Sequence, residues 1–109
     1  MASNTFMLSY TVHRKETLSY EADEAKQWAD HVRNQIPTVK EDWSTHAGVE
    51  TTLTGSMDLY GSYDKVGLAK TSISKEIKPL FKDVPSKYKP DVLCVLLVNG
   101  IDVVIKFQL

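Results

Sequence analysis

A chain of 109 residues, 42% hydrophobic and 25% charged, has the size and composition of one globular domain with one core (1-109), which excludes a fibrous repeat, a disordered tail and a disulfide scaffold. A formal net charge of −1 with only two arginines, Arg14 and Arg33, argues against a surface built for nucleic acid. The lone cysteine, Cys94, has no internal partner for a disulfide, and Met1 onward shows no basic leader followed by an apolar core. A cytoplasmic chain with no membrane span is therefore expected.

Charge is unevenly spread. From Glu16 to Glu50 eight acids face three bases, whereas from Ser62 to Pro90 seven lysines face three acids. Two oppositely charged surfaces follow, able to pair within the domain or between copies of it.

In chain order, Phe6, Leu8, Tyr10 and Val12 alternate with Met7, Ser9, Thr11 and His13, the period of a half-buried strand. Ser19 is placed to cap a helix whose first turn carries Glu21, Asp23 and Glu24, the charge sign that a helix N-terminus favours. Ala22, Ala25, Ala29, Val32 and Ile36 recur at steps of three and four along one face, and Pro37 stops the helix. Val49 to Leu59 reads as a strand rich in threonine, with a short extended piece before Gly48 as an optional hairpin partner. Ser62 and Asp64 open a second helix, on which Val66, Ala69, Ile73, Ile77, Leu80 and Phe81 form the apolar stripe. Pro79 falls inside that stripe, so the helix either kinks there or gives way to a separate last turn. The run Val92 to Val98 shows no polar alternation and predicts a central strand covered on both faces. Asn99-Gly100 follows as a type I′ hairpin turn into a last strand from Ile101 to Leu109.

The order β-α-β-(β)-α-β-β predicts an α+β two-layer sandwich: a mixed sheet of four or five strands with two helices on one face. The variant with the extra strand contains the split β-α-β arrangement of ferredoxin-like sandwiches plus one further strand. Either way the other sheet face is left open. Met7, Leu93, Val95, Leu97 and Val104 are its apolar candidates and predict an interface with a second copy or another protein.

No spacing of catalytic, metal or cofactor residues stands out. His13, His31 and His46 have no short ligand spacing, Cys94 falls in an apolar strand, and the serines lack a nucleophile-elbow motif. No metal, no cofactor and no catalytic residue is therefore assigned. The expected function is that of a small non-enzymatic binding or regulatory protein. A ligand pocket or small enzyme site around Trp43, His46, Tyr60 and Tyr63, at a strand-to-helix junction, is the first alternative. Nucleic-acid binding through Lys65, Lys70, Lys75, Lys78 and Lys82 on the second helix is another.

Overall fold

The computed structural model describes residues 4–46, 49–59 and 63–109. Five strands, β1 (Asn4–His13), β2 (Ser44–His46), β3 (Val49–Met57), β4 (Asp91–Val98) and β5 (Ile105–Gln108), are accompanied by two helices, α1 (Ala22–Gln35) and α2 (Lys65–Ile77). The strands form one sheet in the order β2-β3-β1-β4-β5. All four neighbouring pairs are antiparallel, where a mixed sheet was expected. The reason is that β1 occupies the middle: β3 and β4, joined through α2, run parallel to each other but are separated by β1. Over β1 to β4 this is the split β-α-β pattern, with β5 added at the edge.

Both helices lie on one face. Ala25, Ala29, Val32 and Ile36 of the α1 stripe and Ala69, Ile73 and Ile77 of α2 are buried. Val32, Ile36 and the three α2 residues share one core with Phe6, Leu8 and Tyr10 of β1, Leu53 of β3 and Val92, Cys94 and Leu96 of β4. The spacing of three and four on the helices and of two on the strands aims both sets into one layer.

The helix ends differ from expectation in instructive ways. Ser19 does not cap α1; Ser19–Glu21 instead form a 3₁₀ turn leading into it, with no side-chain cap on either. Asp64 does cap α2, its Oδ1 accepting from the Gly67 amide at 2.8 Å, whereas Ser62 lies outside the described residues. Asp64→Ala is expected to lower the unfolding free energy by about 1 kcal/mol in urea titrations. Pro79 takes the second of its two options, since α2 ends at Ile77 and Lys78–Phe81 form a separate 3₁₀ turn with the proline in its first positions.

At the C-terminal hairpin the asparagine-glycine signal marks the turn but not its type. Gly100 has φ +93°, no described non-glycine residue has positive φ, and the Ile101 amide donates to Val98 O at 3.1 Å. That is the pattern of a type II turn, which needs positive φ only at its third residue. Asn99 is held otherwise: its amide donates to Thr5 O at 2.9 Å, and its carbonyl accepts from Asn4 Nδ2 at 2.8 Å. The β1 ladder thus reaches past β4 into the turn, and β5 begins only at Ile105 instead of Ile101. The chain's end is tied down by a pair of backbone bonds between Leu109 and Val92, at 2.8 and 3.2 Å.

Candidate functional site

The face of the sheet away from the helices is built by the odd parity of β1 and β4 and the even parity of β3. Register places Thr54, Met7 and Leu97 in one row across it and Thr52, Ser9, Val95 and Lys106 in the next. Thr11, Leu93 and Gln108 form a third row. On an antiparallel sheet with one solvated face, outward positions are normally polar. The outward side of β3 obeys, and β1 departs from the rule only at Met7; Ser9 Oγ and Thr52 Oγ1 share a hydrogen bond at 3.1 Å. β4 breaks the rule at three successive outward positions. Met7, Leu93, Val95 and Leu97 of this face are between 38% and 47% exposed; Val103 and Val104, at 55% and 53%, are also exposed but lie in the loop between β4 and β5 rather than on a strand of the face.

This alternation corrects the reading of β4 as a strand covered on both faces. Val92, Cys94, Leu96 and Val98 are buried and their neighbours are not. The apolar run arises because both sides of β4 are apolar, although helices cover only one. Two charged residues of this face are fixed by register: Lys106 sits across from Val95, and Asp91 across from His13.

A second feature lies in the helical layer. Between α2, the segment after α1 and the end of β3 is a cavity of about 160 Å³. Phe6, Trp43, Met57 and Ile73 supply its apolar wall, and Lys40, Lys75, Asp58, Glu76, Ser56 and Ser72 its polar one. Trp43 is 6% exposed and packs edge-on to Phe6, with ring centroids 5.8 Å apart. This pair lies over Gly55, the cross-strand partner of Phe6. A methyl group built on Gly55 would stand 2.7 Å from Phe6 Cζ and 2.8 Å from Trp43 Cδ1, so the absent side chain is what lets the indole close over the sheet. Lys40 Nζ and Glu76 Oε1 face each other at 3.9 Å. Ser56 donates from its amide and its hydroxyl to Asp42 Oδ2, at 3.2 and 3.1 Å.

Of the residues expected around a pocket here, Trp43 lines the cavity. Tyr63 is fully exposed. His46 pairs with Val49 at the far end of β3 from Met57, a strand's length of roughly 26 Å at about 3.3 Å per residue. Tyr60 lies outside the described residues. Reasoning from sequence missed Lys40, Asp58, Ser72, Lys75 and Glu76, which reach the cavity from three separated segments. Lys75 enters the sequence reading only through the lysine face of the second helix, as part of the nucleic-acid alternative.

No match to the chain is found among protein-family models, curated proteins or solved structures. The remaining candidates for chemistry have structural occupations. Burial pushes the Cys94 thiol up to about 12, which leaves it protonated and unreactive at neutral pH. Tyr88, buried on the 3₁₀ turn Ser86–Tyr88, donates to Glu24 Oε2 at 2.9 Å, while Lys87 Nζ binds Glu21 Oε1 at 3.2 Å. Burial and then the Glu24 bond raise the Tyr88 phenol above its usual range. The acidic first half and the basic second half thus meet within the domain at this point. Among the described residues no group of histidine, cysteine and carboxylate side chains is placed to hold a metal ion, and no helix is long and apolar enough to cross a membrane.

Proposed function

We propose that this chain is a non-enzymatic, cytoplasmic association protein that pairs with a second copy of itself through the open face of its sheet. The observation that carries the reading is the outward side of β4, where Leu93, Val95 and Leu97 replace the polar residues that a solvated sheet face favours. Size supports a second copy as the occupant. Five strands about 4.8 Å apart and roughly seven residues long present a face of about 24 by 24 Å, close to the ~800 Å² per partner of a standard stable interface once side-chain relief is counted. A two-fold axis makes such contacts reciprocal, with sheets stacked about 10 Å apart. A buried thiol that needs no disulfide fits the reducing compartment.

Sedimentation equilibrium tests this. The chain is expected to dimerise with a dissociation constant on the order of micromolar, and Val95→Lys to weaken it by about 100-fold or more, because a lysine at the centre of a dry face has no partner there. Lys78→Ala, on the exposed side of the helical layer, leaves association unchanged. A strict monomer at several hundred micromolar, or a dimer indifferent to Val95→Lys, overturns the reading.

A further inference from the structure

We infer that the two copies stack about a two-fold axis running along β4, so that each Lys106 reaches the Ser9–Thr52 hydroxyl pair of the other copy. The inference rests on the association proposed above and names how the second copy sits. When two sheets pack with their strands nearly aligned, a two-fold axis lying between them runs either along the strands or across them. The register makes these two arrangements chemically different. Lys106 and Gln108 stand one strand away from β4 on the β5 side, and Ser9 and Thr11 stand one strand away on the β1 side.

An axis across the strands at Val95 lays every strand over its own counterpart in reverse. Lys106 then meets the partner's Lys106, and Met7 meets the partner's Thr11. The first contact opposes like charges, and the threonine side of β3 leaves water with only its own counterpart to bond. An axis along β4 keeps the rows and exchanges the two sides. Leu93, Val95 and Leu97 each meet their own counterpart, which joins the three outward apolar positions of β4 into one dry line. Lys106 comes over the partner's Ser9, whose Oγ shares a single hydrogen bond with Thr52 Oγ1 at 3.1 Å; two hydroxyls joined by one bond keep acceptor positions for an ammonium. Met7 comes over the partner's stretch just before β5, where Val104 is exposed, and Thr11 meets Gln108. β3 stays beyond the edge of the contact, with its threonines in water. The overlap is three strands wide, at the low end of interface size, which fits a micromolar dimer better than a tighter one.

Cross-linking of cysteine variants with a short bismaleimide at about 300 μM chain, well above a micromolar dissociation constant, tests the arrangement. Ser9, Leu97 and Lys106 all lie on the outward side of the sheet, and the unmodified chain, whose Cys94 is buried, is the control. An axis along β4 holds the two copies of residue 97 at the sheet spacing of about 10 Å, whereas an axis across it also separates them by about 13 Å along the strands. Leu97→Cys alone is therefore expected to give a covalent dimer. Ser9→Cys and Lys106→Cys should cross-link when mixed, and neither should do so alone. A chain that sediments as a dimer but cross-links through Lys106→Cys alone, or through Leu97→Cys only when mixed with Leu93→Cys, overturns this arrangement and leaves the open-face association standing. A strict monomer in sedimentation overturns both.

Discussion

Trp43→Ala is expected to cost about 3–5 kcal/mol of unfolding free energy, read as a lower urea midpoint by far-ultraviolet circular dichroism with the slope preserved. The indole is buried, stacks edge-on to Phe6, and closes over a backbone stretch that has no side chain of its own at Gly55. Its removal opens a void that neither Phe6 nor the strand can fill, since β1 and β3 are fixed by register on both sides. The reciprocal change tests the same contact from below. Gly55→Val puts atoms where Phe6 and Trp43 already stand, and overpacking of this kind costs about 1–3 kcal/mol. If the two rings and the glycine act as one unit, Phe6→Leu and Trp43→Ala combine with a coupling of roughly 0.5–1.5 kcal/mol. Strict additivity would mean that the edge-on contact carries nothing beyond buried area.

That unit shows why the sheet was more legible in the sequence than the cavity. Strand and helix stripes announce themselves by period, and Phe6, Leu8, Tyr10, Ala25, Ala29, Ile73 and Ile77 all face inward as their spacing predicts. Trp43 precedes the three-residue strand β2, too short for any period, so nothing local said that it belonged to the core. A glycine inside a threonine-rich strand was the available signal, because such a glycine marks a close approach by another group; it could be noticed but not assigned a partner. The cavity's charged residues are worse placed for sequence reasoning, since Lys40, Asp58 and Glu76 come together only through the crossing of β3 with α2. Of the five apolar residues proposed for the open face, all stand exposed. Parity puts Met7, Leu93, Val95 and Leu97 on that face, while Val104 falls in the loop before β5, where strand parity does not apply. An apolar strand run states that both sides are apolar; it does not state that both are covered.

Alkaline pH provides a second large effect, through Cys94. The thiol's folded value of about 12 stands above the ordinary 9.0 because burial penalises the thiolate. Between these two values the unfolded chain releases the proton and the native chain keeps it, so the unfolded state binds fewer protons and stability falls as pH rises. The slope approaches about 1.4 kcal/mol per pH unit for one group, a loss of up to roughly 4 kcal/mol across the window. Tyr10 and Tyr88, both raised by burial, add loss of the same sign above pH 10, so the decline steepens there. Cys94→Ala removes the thiol and should remove the part of the slope between pH 9 and 10, leaving the tyrosine part intact, when urea midpoints are measured in steps from pH 7 to 11. The same burial sets the chemistry at neutral pH. A thiol-reactive dye is expected to label the native chain only as fast as the β1-β4 ladder opens, and at full speed in urea. Rapid labelling of the folded chain would mean that the thiol is reachable from the open face, and that β4 is a looser strand than its neighbours on both sides imply.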